Sequence, residues 1–285
     1  MPRIAIMQGR LLPPEPPRFQ CFPRKRWREE FGYAAKAGLD AIEWIYDLQG
    51  SDVNPLATDA GIAEMRALSR QHNIAVVSLC ADYFMDRPFV TAGRAEFDEL
   101  TAHLIWMLDR CRLAGIGRVV LPFVDASRIH ARTQESSIVI MLNEVLPRAA
   151  TAGVELHLEA DFGPDDFAAM LARLPHPFLK ANYDSGNSSS LAYDVRLELA
   201  AYGPRIGSIH IKDRVNGGGT VPLGTGDADI PALLAGLAAI SYGGDFVLQV
   251  ARDVAGGEVE WARHNLAYLN RELEQAKILP VGGSR

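Results

Sequence analysis

The segments ELHLE (residues 155–159), LKANYD (179–184) and IGSIH (206–210) determine how this chain can fold. Each is a short, mostly apolar run that ends in a carboxylate or an imidazole. Their length and spacing predict buried β-strands separated by helices. Strands that alternate with helices form a parallel sheet, and parallel strands all end on the same side of it. Glu159, Asp184 and His210 are therefore expected to lie close together.

Five more segments have the same character, so the chain contains eight candidate strands: Arg3–Met7, Ala41–Trp44, Ala75–Leu79, Arg118–Leu121, Glu155–Leu158, Leu179–Tyr183, Ile206–His210 and Phe246–Val250. Apolar residues at helical spacing predict helices between them, such as Arg26–Ala37, Ala60–Gln71, Arg94–Leu113, Ser136–Ala152 and Ile230–Ala239. Eight strand–helix repeats predict an α/β fold closed into a single (β/α)8 TIM barrel. A doubly wound open sheet is the alternative, but no glycine-rich dinucleotide motif follows the first strand.

Glycines mark the joins between predicted helices and strands. Gly38, Gly115 and Gly153 each follow a helical stretch, and glycine readily adopts the left-handed conformation that closes a helix. No linker composition interrupts the 285 residues, so we predict one domain over residues 1–285, with 278–285 as a frayed tail. Leu12–Pro17 and Gly217–Gly219 are expected to form loops on the rim where the strands end.

The composition disfavours several classes of protein. A net charge of −6 gives no general attraction to nucleic acid or to an anionic membrane. Three cysteines without disulfide or metal spacing indicate a reducing compartment. No stretch approaches the ~20 apolar residues of a membrane span, and the first residues lack the apolar core of a signal peptide. We expect a cytoplasmic protein that binds neither nucleic acid nor membranes.

The three strand-end residues are typical of a metal site. A single carboxylate at a strand end is usually a helix cap, and a single histidine is usually structural. Glu159, Asp184 and His210 on three successive strands instead offer the mixed oxygen and nitrogen ligands that suit one divalent cation, such as Mn²⁺, Mg²⁺, Zn²⁺ or Co²⁺. Gln249 ends the last strand, where it is the fourth candidate ligand.

The chain resembles the xylose-isomerase-like barrel enzymes, and among them the sugar-phosphate isomerases and epimerases. It is most similar to L-xylulose/L-ribulose 5-phosphate 3-epimerases, formerly called hexulose-6-phosphate isomerases. The resemblance extends through MQGRLLPP (7–14), IEW (42–44), ADYFMDRP (81–88) and the stretch from 182 to 230. It implies one divalent ion held by Glu159, Asp184 and His210. The family's fourth ligand, a glutamate, falls on Gln249, where this sequence departs from the pattern.

This departure bears on the reaction. In the family, two glutamates exchange protons on opposite faces of a ketose, and the metal stabilises the enediolate between them. The resemblance thus implies a metal-dependent isomerase or epimerase of a small sugar or sugar phosphate, with Glu159 as the base. Gln249 cannot accept a proton, which disfavours 3-epimerisation unless a residue such as Asp253 replaces it. The alternative is a catalytically impaired barrel that binds a sugar-like ligand. An apurinic endonuclease of the same fold is disfavoured, because it needs more histidine ligands.

Further polar residues are expected to contact the substrate at the same rim: Gln8, Arg10, Glu43, Asp82, Asn187 and Lys212. Alternatives remain for two of them, since Glu43 could be the buried partner of a barrel residue and Lys212 could pair with Asp213. The glycine-rich loop Val221–Asp229 could offer backbone N–H groups to a phosphate or simply cap the next helix. His157 is expected one layer below Glu159. The resemblance also implies a homodimer or homotetramer.

Overall fold

Eight parallel strands close into a barrel in the computed structural model, which describes residues 2–15, 19–253 and 256–278. The barrel strands are β1 (Ile4–Met7), β2 (Ala41–Ile45), β3 (Ala75–Cys80), β4 (Arg118–Phe123), β5 (Glu155–Ala160), β6 (Leu179–Asp184), β7 (Ile206–Ile211) and β10 (Phe246–Leu248). Around the barrel they follow the order β1-β10-β7-β6-β5-β4-β3-β2. A two-stranded antiparallel hairpin, β8 (Asp213–Arg214) and β9 (Thr220–Val221), follows β7. The predicted fold class is confirmed.

Helices connect successive strands of the barrel. They are α1 (Glu29–Ala37), α2 (Asp59–His72), α3 (Tyr83–Asp86), α4 (Arg94–Ala114), α5 (Arg132–Ala152), α6 (Pro164–Ala172), α7 (Ser185–Ser190), α8 (Val195–Tyr202), α9 (Ile230–Ala239) and α10 (Glu258–Gln275). The glycines predicted to close α1, α4 and α5 all have positive φ, as that role requires. Within the described residues, none of these helices is long and apolar enough to cross a membrane.

Burial explains why the strand segments are apolar throughout. Helices cover the outside of a parallel sheet, so both faces of each strand are removed from water. All four residues of β1 are buried, as are all five of β2. Polar residues in such strands are exceptions that need partners, and Glu43, His157 and His210 are fully buried within them. These three residues lie in or beneath the candidate site described below.

Several predicted boundaries differ from the structure. Helix α1 begins at Glu29 because Pro23–Arg28 forms turns before it, whereas α5 begins four residues earlier than predicted. The reason is that the side chain of Gln134 accepts hydrogen bonds from the backbone N–H groups of His130 and Ala131 and so starts the helix. Helix α7 follows Asp184 directly, and the glycines at 217–219 form the turn of the β8–β9 hairpin. Residues 16–18 of the proline-rich loop and 279–285 of the predicted tail lie outside the described residues.

An aromatic cluster packs β2 against helix α1 and the segment that precedes it. Trp44 is fully buried, and its ring contacts those of Phe22, Trp27 and Phe31 at centroid distances of 5.8, 5.6 and 6.0 Å. The indole N–H donates a hydrogen bond of 3.2 Å to the side chain of Asn54. Side chains alternate along a strand, so Trp44 faces outward while the neighbouring Glu43 faces the barrel interior.

We predict that Trp44→Ala lowers the free energy of unfolding by about 3–5 kcal/mol, because it removes a large buried side chain and leaves a cavity. Ile140→Ala is the control, since Ile140 is 68% exposed and its truncation should change stability by less than about 0.5 kcal/mol. Urea unfolding followed by circular dichroism measures both variants. Equal stabilities for the two variants would contradict the assigned packing.

Candidate metal centre

Three strands bring Glu159, Asp184 and His210 to one point at the C-terminal rim of the barrel. One potential ligand atom from each residue lies within 4.8 Å of the others, and all three residues are buried. The parallel register places Asp184 of β6 directly beside His210 of β7. The convergence follows from the fold, because parallel barrel strands deliver their C-terminal ends to the same rim.

Glu43 determines which nitrogen of His210 faces the other two residues. Nε2 of His210 lies 2.7 Å from a carboxylate oxygen of Glu43, whose other oxygen accepts a hydrogen bond of 2.6 Å from Ser78. The ring therefore donates from Nε2 to Glu43, which is a common arrangement for a metal-binding histidine. Glu43 is fully buried. It is the buried partner of His210, which is the alternative that the sequence left open, and its contact with a substrate stays a prediction.

The other nitrogen of His210 faces two carboxylates without a hydrogen bond. Nδ1 lies 3.2 Å from an oxygen of Glu159 and 3.7 Å from an oxygen of Asp184, and it has no hydrogen-bond partner among the described residues. Burial alone would lower the pKa of His210, but Glu43, Asp184 and Glu159 raise it well above its ordinary value. The three carboxylates thus stabilise a positive charge at this point. A divalent cation held by Glu159, Asp184 and Nδ1 of His210 would supply that charge.

Lys212 supplies a second positive charge beside this point. Its ammonium group lies 3.4 Å from Asp184, 3.1 Å from the carbonyl oxygen of the Asn187 side chain and 3.2 Å from that of Gln249. Although burial opposes the change, Lys212 and His210 lower the pKa of Asp184 to about 2, so this carboxylate is ionised at neutral pH. The side-chain oxygen of Gln249 thus accepts a hydrogen bond from Lys212.

Asp213 organises the loop after the hairpin and does not pair with Lys212. It is fully buried, and its carboxylate accepts hydrogen bonds from the backbone N–H groups of Gly224, Gly226 and Ala228. These N–H groups therefore do not face the cavity as a phosphate site would require. Asp229 caps helix α9 through the N–H of Ala232. The simpler interpretation of this loop, a helix-capping turn, agrees with the structure.

Two asparagines orient Glu159. Asn187 donates a hydrogen bond of 2.7 Å to one carboxylate oxygen, and Asn182 donates one of 2.9 Å to the other. Beneath them, Ser208 donates to Asn182, and His157 contacts Ser208. His157 lies one layer below Glu159, as its position two residues earlier in the strand predicts. These contacts leave Glu159 only 6% exposed, at the floor of a cavity.

This cavity has a volume of about 450 Å³ and contains most of the predicted substrate contacts. Arg10, Asp82, Asn187 and Lys212 line it together with Glu159 and Gln249. Gln8 is fully buried and does not line the cavity. Its side-chain oxygen accepts a hydrogen bond from the backbone N–H of Ile45, and its contact with a substrate stays a prediction. Asp253, the suggested substitute for the missing glutamate, is also outside the lining and accepts a hydrogen bond from the N–H of Gly257.

The cavity also contains residues that the sequence did not single out. Gln20 lies between Arg10 and Asp82, and Phe19 stacks against the guanidinium of Arg10. Arg214 lines the same wall and donates to the side-chain oxygen of Asn187. Arg214 could have been found, because it follows Lys212 by two residues and so shares its face. No pattern in the sequence distinguishes Gln20 from an ordinary loop residue.

Comparison with known proteins agrees with this architecture. An L-ribulose 3-epimerase structure is 19% identical with a TM-score of 0.77, and the match covers all of both chains. A structure of the IOLI protein with a bound zinc atom is 16% identical with a TM-score of 0.77, covering 96% of this chain and 99% of that one. A D-allulose 3-epimerase from Methylomonas sp., in complex with D-allulose, is 17% identical with a TM-score of 0.73, covering 95% and 96%.

The solved structures show the shared fold, whereas a family model gives the chain's membership. A search of curated protein sequences found no match. The model of the xylose isomerase-like TIM barrel matches residues 31–272, which is most of the chain. The chain therefore belongs to the xylose isomerase-like TIM barrel family.

Proposed function

We propose that this protein is a divalent-metal-dependent isomerase or epimerase that acts on a small sugar or sugar phosphate. The observation that carries the proposal is the buried Nδ1 of His210, which faces Glu159 and Asp184 and lacks a hydrogen bond. Such a group is explained by a cation that binds all three residues. The family membership and the similarity to the L-ribulose and D-allulose 3-epimerases support a sugar as the substrate.

The lining of the cavity suits a polyhydroxylated ligand. Asn187, Gln20 and Gln249 offer amide groups, and Arg10, Lys212 and Arg214 offer cationic donors that can bind hydroxyl groups or a phosphate. The volume of about 450 Å³ lies within the range of small-molecule sites. These donors line the same cavity as Glu159, so a sugar that they bind would lie beside that carboxylate.

Glu159 is the proposed base. Two asparagines hold its carboxylate, and it can remove the proton from the carbon next to a ketose carbonyl. The electron pair of that C–H bond then enters an enediolate. When bound, a divalent cation supplies the positive charge that stabilises this intermediate. Gln249 cannot serve as a second base, because an amide does not accept a proton near neutral pH.

We predict that the protein binds one Mn²⁺ ion and that Glu159→Gln weakens binding at least about tenfold, because a ligand charge is lost. Lys212→Met should tighten binding, since it removes a positive charge that lies beside Asp184. Asp165→Asn, on the exposed first turn of α6, is the control and should leave the titration unchanged. Electron paramagnetic resonance measures free Mn²⁺ in each titration. Absence of a specific site in the wild type would rule out the metal-dependent reaction.

We predict that the Mn²⁺-loaded protein exchanges hydrogen for deuterium at a carbon next to the carbonyl of a ketose in D₂O. The panel is D-allulose, D-tagatose and L-ribulose with their 5- or 6-phosphates, and proton NMR follows the exchange. Glu159→Gln should slow the exchange by a factor of about 10²–10⁴, because the general base is lost. Binding of a ketose without any exchange would instead support a sugar-binding barrel that has lost catalysis.

A further inference from the structure

Another cavity lies at the end of the barrel opposite the candidate metal centre. It has a volume of about 320 Å³, at the lower end of the range for small-molecule sites. Residues at the beginning of the strands line it: Arg3 precedes β1, Ala75 begins β3, Arg118 begins β4 and Glu155 begins β5. In a parallel barrel, the strand beginnings form the rim away from the catalytic groups. This cavity is therefore separate from the one that contains Glu159.

A gap between β3 and β4 forms this cavity. Strand β3 pairs with β4 from Leu79 onward, whereas its first residues, Ala75–Val77, line the cavity. The turn between α4 and β4 adds Gly115 and Gly117 to the lining. A Cβ atom on either glycine would have no atom of the described residues within 4 Å beyond its chain neighbours. Open space therefore adjoins both glycines, and a ligand can occupy it.

Three arginines line this cavity: Arg3, Arg66 and Arg118. Nη2 of Arg3 and Nη2 of Arg118 each lie 2.8 Å from the same carboxylate oxygen of Asp245. Arg66 donates to the backbone carbonyl of Leu113 at 3.2 Å, and it forms no ion pair within the described part of the chain. Arginine stays protonated in proteins. Asp245 thus balances one of the three positive charges.

The carboxylate of Glu155 does not balance the other two charges. One of its oxygens lies 2.7 Å from the ammonium group of Lys180, and the other lies 2.9 Å from the ring of His157. Lys180 therefore matches the charge of Glu155. Among the lining residues and their ion-pair partners, four cationic side chains thus meet two carboxylates, an excess of two positive charges. This end of the barrel is locally positive and suits an anion, although the whole chain has a net charge of −6.

The guanidinium group of Arg118 is buried without a full set of partners. Its side chain is 11% exposed, and its Nε is buried without a hydrogen-bond partner among the described residues. Hydrogen bonds within that part of the chain use Nη2 of Arg118, Nε and Nη2 of Arg3, and Nη1 of Arg66. The other nitrogens of Arg3 and Arg66 can therefore donate to a ligand. A bound anion would offset the cost of burying the charge of Arg118.

We propose that this cavity binds the phosphate group of a small phosphorylated metabolite through Arg3, Arg66 and Arg118. A phosphate monoester carries close to two negative charges at neutral pH, which matches the excess of positive charge, and guanidinium groups bind its oxygens well. The cavity has the volume of about ten molecules of liquid water, which leaves room for a short carbon chain beside the phosphate. A ligand at this end is out of reach of Glu159. The inference therefore does not depend on the proposed function.

Calorimetric titration of the full chain with inorganic phosphate and with glycerol 3-phosphate tests the site. We expect both compounds to bind, whereas glycerol, which lacks the charge, should not. Arg66→Gln should weaken the binding of glycerol 3-phosphate at least about tenfold, because a charged hydrogen-bond donor is lost. Arg70→Gln is the matched control. Arg70 is exposed on the same helix and lies outside the lining, so this variant should keep the affinity of the wild type.

Arg118→Gln should also weaken binding, but it removes a partner of Asp245 and with it some stability. The exposed Arg66 is therefore the better position for the test, and circular dichroism checks that Arg66→Gln folds. Equal affinities of Arg66→Gln and the wild type would overturn the inference, as would a wild type that binds neither phosphate compound. Binding that is weakened in Arg214→Gln but not in Arg66→Gln would place the phosphate in the cavity with Glu159, which also overturns it. Acetate that binds as tightly as inorganic phosphate would contradict the assignment of a phosphate group.

Discussion

The buried imidazole of His210, surrounded by three carboxylates, is the constraint on which the rest of the site depends. Taking Glu43, Asp184 and Glu159 out of water carries a large cost unless positive charge lies among them. Glu43 binds Nε2 of the ring, which leaves Nδ1 to face the other two residues. A cation at this point would offset that cost. The barrel therefore determines both where a cation would bind and which nitrogen would face it.

The remaining charges are arranged around this constraint. Lys212 lies beside Asp184 and also donates to the side-chain oxygen of Gln249, so one ammonium group connects the candidate metal centre with Gln249. The resemblance implies a glutamate at position 249, and Gln249 leaves the candidate metal centre with one carboxylate fewer. Its amide group donates a hydrogen bond to the side chain of Gln20, which a glutamate could not do.

The sequence predicted the barrel and the three central residues because both depend on local patterns. Apolar runs with helical stretches between them indicate parallel strands, and glycines such as Gly38 and Gly115 mark where helices end. Local patterns left the role of Glu43 open between a substrate contact and a buried partner. A carboxylate within an apolar strand is equally compatible with the rim and with a buried partner, and its partner His210 lies 167 residues away. The contact between Gln20 and Gln249 spans 229 residues, and no local pattern encodes it.

We infer that Glu159, Asp184 and Nδ1 of His210 hold one divalent cation. Anomalous X-ray diffraction from crystals soaked in Mn²⁺ tests it most directly. We expect a single strong peak at bonding distance from these three groups, with the ammonium of Lys212 displaced from Asp184. A structure with no peak there, in which Lys212 keeps its contact with Asp184 at high Mn²⁺ concentration, would contradict the account.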